Sequence, residues 1–142
     1  MTDSYRHPSV DEIRQIYRET TTIATVGASA DPSKTSHRIP AYLAEQGFRI
    51  IAVSPRGGEL FGEPVRESLA DIDEPVDVVN VFRPAEEAPD IAEQAVAIGA
   101  KVLWLQLGIE SDEAAAIAGR AGMTVVMDTC MGATYASLAL DE

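Results

Sequence analysis

A chain of 142 residues with 46% hydrophobic content is long enough for one real core and too short for two comfortable ones. Its formal net charge of −12, with no cluster of Lys and Arg, repels polyanions and argues against nucleic acid or an anionic membrane as partner. The single Cys130 and the distant pair His7 and His37 exclude an internal disulfide and any zinc-type spacing, and no apolar run nears the roughly 20 residues that span a bilayer.

The amino end, Met1-Thr2-Asp3-Ser4, lacks a basic region followed by an apolar stretch, which predicts a cytoplasmic protein. A helix is expected next, because Ser9-Val10-Asp11-Glu12 has the capping-box pattern and Ile13, Ile16 and Tyr17 repeat at helical spacing. Five short apolar runs rich in β-branched residues follow as strands, at 22–28, 49–54, 76–82, 101–107 and 123–128. They are nearly continuous in apolar residues rather than alternating, as suits a parallel sheet buried on both faces. Helices are predicted over about 36–46, 85–98 and 111–121, each running into a glycine, with Ser111 as an N-cap. The segment 57–75, rich in Gly, Pro and acids, reads as a loop with one helical turn near 66–70.

Alternating β and α elements predict a single Rossmann-like, doubly wound parallel five-stranded sheet, in the order 3-2-1-4-5 by run, with the extra amino-terminal helix. The whole chain, 1–142, is expected to be one domain with its core over about 20–130. Ligands of such sheets lie beyond the carboxyl ends of the strands, so the five strand-end loops should meet at one crevice.

In the first of these loops Gly27 permits a tight turn, and the serines and backbone amides lead to a helix start near Ser36 that favours an anion. The loop is not the dinucleotide fingerprint, since Ser29 and Pro32 stand where glycines would be needed. The second strand ends in Ser54-Pro55-Arg56 instead of the acid that grips an NAD ribose, and an arginine there suits a phosphorylated ribose. NADP and coenzyme A both carry such a phosphate, and the loop alone does not choose between them. Lys34, Arg38, Arg56 and Arg83 all fall in or just after strand-end loops of a very acidic chain, which an anionic ligand explains.

The segments "VGAS.DP.K.S", "YLAEQGFRIIAVSPR", "PVDVVNVFRPAEEAPDIAEQAVAIGAKVLWLQLGI" and "AGMTVVMD.C" together resemble the small bacterial CoA-binding proteins, over about residues 20–130. Those proteins are similar to the CoA-binding domain of the succinyl-CoA synthetase α subunit. The resemblance implies CoA as the cofactor, with Gly27, Ala28, Ser29, Lys34 and Ser36 on the phosphates and Ser54, Pro55 and Arg56 at the adenosine end. It further implies that Phe82, Arg83 and Pro84 line the middle, and that Gln106, Leu107 and Gly108 approach the pantetheine. Two departures stand out: Asp128-Thr129-Cys130 replaces the usual Asp-Arg-Cys, and neither His7 nor His37 matches the synthetase's phosphate-carrying histidine.

No catalytic residue is assigned, because Ser29, Ser36 and Ser54 have no base readable beside them and His37 follows a helix start. Trp104 reads as core and Cys130 as a small buried thiol. The expectation is therefore a stand-alone module that binds CoA or an acyl-CoA without catalysis of its own. The alternatives are a small enzyme or enzyme subunit acting on acyl-CoA, and an NADP-binding regulatory domain.

Overall fold

The computed structural model describes residues 5–138. Helix α1, Val10–Glu19, opens with the expected capping box: Glu12 N–H donates to Ser9 Oγ at 3.1 Å while Ser9 N–H donates to Glu12 Oε1 at 2.8 Å. The strands are β1, Thr22–Val26; β2, Arg49–Val53; β5, Val78–Val81; β6, Val102–Leu105; and β7, Thr124–Val126. Between β2 and β5 lie a two-residue hairpin, β3 (Glu59–Leu60) with β4 (Glu63–Pro64), and a 3-10 turn over Leu69–Asp71. Helices α2, Thr35–Glu45, α3, Ala88–Ala97, and α4, Asp112–Arg120, connect the strands, and α5, Met131–Ser137, closes the described chain. Ser111 caps α4 by accepting from Ala114 N–H at 3.1 Å.

The five main strands pair in parallel in the order β2-β1-β5-β6-β7. Counted by apolar run this is 2-1-3-4-5, which corrects the 3-2-1-4-5 expected from sequence. The cause lies at the outer edge of β2. There Arg66 makes a one-residue parallel bridge to Val53, donating its amide to Ala52 O and accepting from Ser54 N–H, each at 2.9 Å. With that edge occupied, the chain crosses back and its third run pairs with the free edge of β1.

The crossovers explain the two layers. Helices α1, α2 and α5 bury Ile13, Ile16, Tyr17, Leu43, Met131 and Tyr135 on one face of the sheet. The turn at Leu69, with α3 and α4, covers the other through Ile72, Ile91, Ala92, Ala114 and Ala118. Connections of one hand must use opposite faces when they step in opposite directions along a sheet. The move from β1 to β2 goes under α2, and every later move goes the other way.

Trp104, fully buried in β6, donates its indole N–H to Thr129 O at 2.9 Å, with its ring 5.6 Å from that of Tyr17. Tyr17 donates its hydroxyl to Met131 O at 2.7 Å, joining α1 to α5. Cys130 is half-buried, not fully buried as expected from sequence, because it stands at the N-cap of α5 and its sulfur accepts from Ala133 N–H. Among the described residues no helix is long and apolar enough to cross a membrane.

Candidate functional site

The strand order reverses between β1 and β5, so the loops after these two strands diverge and leave a crevice at their carboxyl ends. Gly27 ends β1 there with φ at +88°, its amide donating to Val53 O at 3.0 Å. The Arg83 arm lies directly over it. A β-carbon built on Gly27 would stand 2.8 Å from Arg83 Cδ and 3.0 Å from Phe82 O, so only glycine fits both the backbone angle and the space.

The loop beyond Gly27 is tied down by its own polar groups. Ser29 N–H donates to Ser36 O at 3.2 Å, and Ser29 Oγ accepts from Asp31 N–H at 3.0 Å. His37 Nδ1 donates to Ser29 O at 2.7 Å, and its ring packs 5.2 Å from Phe61 at the hairpin tip. His37 thus fixes loop shape; its Nδ1 is already used. Lys34 is the N-cap residue of α2 and supplies no side-chain cap.

Together these loops and the start of α3 enclose a cleft of about 960 Å³, at the upper end of the range for cofactor sites. Gly27, Ala28, Ser29, Lys34 and Ser36 line it from the first loop, Ser54, Pro55 and Arg56 from the second, and Phe82 and Arg83 from the third. Pro84, Gln106 and Gly108 do not line it. Pro84 is the N-cap of the 3-10 turn Ala85–Glu87 that leads into α3. Gln106 is only 4% exposed and is spent internally, donating to Asn80 Oδ1 and accepting from Met131 N–H. Gly108 donates its amide to Asp128 Oδ1 at 2.7 Å, bridging the loops after β6 and β7.

The cations of the cleft are not equivalent. Among the described residues neither Lys34 nor Arg56 makes an ion pair, whereas Arg83 is held by Glu87 through Nε at 3.1 Å and Nη2 at 2.7 Å. That guanidinium holds the Glu87 carboxyl below the usual carboxylate range. Glu59, Glu67, Glu86 and Asp90 also line the cleft, an acidic side that sequence reading missed. The i,i+4 spacing of Arg83 and Glu87 was the available signal.

A parallel sheet with a cleft at its point of reversal defines a doubly wound α/β domain of the ligand-binding kind. The chain belongs to the CoA binding domain family, whose model matches residues 21–136, and this membership gives it a CoA-related role. It is 38% identical to the uncharacterized protein YneT of Bacillus subtilis (strain 168), over 92% of this chain and 97% of that one. The structure of cell-free ID.343 from Thermus thermophilus superposes with a TM-score of 0.89 at 40% identity, covering 92% of this chain and 99% of that one. An ADP-forming acetate–CoA ligase I of Archaeoglobus fulgidus is 28% identical over 84% of this chain, which corresponds to only 19% of the ligase.

Proposed function

We propose that this chain binds CoA or an acyl-CoA as a stand-alone module, with no chemistry of its own. The observation that carries the reading is a pair of cations, Lys34 and Arg56, that make no ion pair among the described residues and line one cleft at the reversal of the sheet. In this reading the amides after Gly27 and the start of α2 take the phosphates together with Lys34 and Ser36. Arg56 takes the 3′-phosphate of the adenosine, because its planar guanidinium matches a phosphate edge. Phe82 and Arg83 border the middle of the ligand. Ser29 Oγ accepts from Asp31 N–H and Ser54 Oγ from Arg56 N–H, and among the described residues no imidazole or carboxylate hydrogen-bonds to the hydroxyl of Ser29, Ser36 or Ser54 to activate it.

Calorimetry with CoA and NAD tests the binding: saturable CoA binding is expected, and saturable NAD binding without CoA binding overturns it. A parallel assay with ATP, CoA and acetate or succinate tests the absence of chemistry. Thioester formation by the pure chain would favour the alternative, an enzyme acting on acyl-CoA, which the partial likeness to the acetate–CoA ligase supports.

A further inference from the structure

The Arg83 side chain lies across Gly27 at the end of β1, on the wall of the cleft. Its Cγ and Cδ lie 3.2 and 2.8 Å from the β-carbon position of Gly27, so the arm covers backbone at the end of β1 that a ligand could otherwise approach without a side chain in between. The guanidinium is already paired on one edge before an anion arrives. Glu87 holds Nε and Nη2 in a two-pronged contact, which takes one edge of the fork that would grip a phosphate. This contact follows from local geometry: Pro84 starts the 3-10 turn Ala85–Glu87, and the turn brings Glu87 back under Arg83 four residues on.

We infer that Glu87 is a specificity-setting residue of this cleft: its carboxylate stands in for the ligand's phosphate on the Nε–Nη2 edge of Arg83, and an anionic ligand has to displace it to gain that edge. The inference rests on the proposed CoA reading. Lys34 and Arg56 then provide the first hold on the ligand, and Arg83 adds its two-pronged Nε–Nη2 grip only when a phosphate competes well enough to replace the carboxylate. A ligand with a weak or singly charged anion leaves the Arg83–Glu87 pair closed over Gly27, so the pair raises the threshold for binding. Both side chains are 46% exposed, and exposed pairs of this kind are individually weak, so the threshold is small and reversible.

The test is a double-mutant cycle with Glu87→Gln and Arg83→Gln, read as CoA affinity by calorimetry at one fixed ionic strength. Glu87→Gln in the wild-type background should tighten CoA binding about 2- to 5-fold, the range set by an exposed ion pair. In the Arg83→Gln background the same change should leave affinity nearly unaltered. Equal tightening in both backgrounds would mean that Glu87 acts only as a negative charge near an anion, and would overturn the inference. Weaker binding by Glu87→Gln would overturn it in the other direction, making Glu87 a support that orients Arg83. A wild-type chain that binds no CoA overturns the functional reading together with the inference, whereas the first two failures leave that reading intact.

Discussion

Asp77 and Thr22 meet across the foot of the sheet: Thr22 N–H donates to Asp77 Oδ2 at 3.0 Å, beside a second donation from Thr21 N–H at 2.8 Å. One carboxylate oxygen thus ties the start of β1 to the segment entering β5. Burial pushes the Asp77 carboxyl up, but the two amides and the Lys101 ammonium at 3.5 Å outweigh it and hold the group below its ordinary value. Hydrogen bonds to a charged group contribute about 1.5–3 kcal/mol, so Asp77→Asn should cost on the order of 2 kcal/mol in urea denaturation. A carboxyl depressed in the folded state adds stability that is complete above the unfolded value near pH ~4 and is lost as pH falls through the folded value. The acid limb of the stability profile should therefore be shallower in Asp77→Asn than in wild type; parallel limbs would refute the staple.

Gly27→Ala should lower both stability and CoA affinity. The +88° backbone angle is strained for any residue with a β-carbon, at about 1–3 kcal/mol, and the added methyl must push Arg83 aside. Chemical denaturation and calorimetry on the same preparation measure the two losses. Unchanged CoA affinity in a folded variant would remove Gly27 from the binding surface.

Arg56→Ala should erase discrimination between CoA and dephospho-CoA. Wild type is expected to prefer CoA on the order of 10-fold, as a charge-assisted contact to one phosphate supplies. The paired comparison isolates that contact. A mutant that discriminates as strongly as wild type would shift the anchor to Lys34.

Gln106→Leu separates support from contact. The substitution removes the donor to Asn80 Oδ1 and the acceptor for Met131 N–H, leaving buried polar groups unpaired at a cost of about 1–3 kcal/mol. The unfolding midpoint should fall while CoA affinity stays within about 2-fold. A tenfold loss of affinity with an unmoved midpoint would place Gln106 on the ligand after all.

What the sequence made legible follows from how local each signal is. Ser9 with Glu12 and Ser111 with Ala114 are caps completed within four residues, and the five apolar runs became strands because β-branched residues suit a sheet covered on both sides. The order of the strands was not legible, because apolar runs do not say which edge they join, and the segment that fills the outer edge of β2 at Arg66 carries no apolar run. The β3–β4 hairpin was missed because two-residue strands carry no pattern. It is held from outside by Arg49 of β2, which pairs with Glu63 of β4. Helix α5 was missed as well: seven residues with an interior Gly132 read poorly as helix, yet burial of Met131 and Tyr135 holds it, and Gly132 lets Ile39 of α2 approach closely. The loops of the cleft could be named from the strand ends. The acidic wall was signalled only by the i,i+4 spacing of Arg83 and Glu87, since Glu59 of β3, Glu67 beyond β4, Glu86 of the 3-10 turn and Asp90 of α3 come together only in the folded chain.

Trp104 gives this molecule a spectroscopic consequence. It is the sole tryptophan, and it sits with Tyr17 on the face packed by α1 and α5, apart from the cleft residues. Its ultraviolet emission is therefore a native gauge of whether the first and last helices remain docked. Filling the cleft should leave the emission maximum in place, while undocking of either helix should shift it to the red, so one fluorophore separates occupancy from integrity without a label.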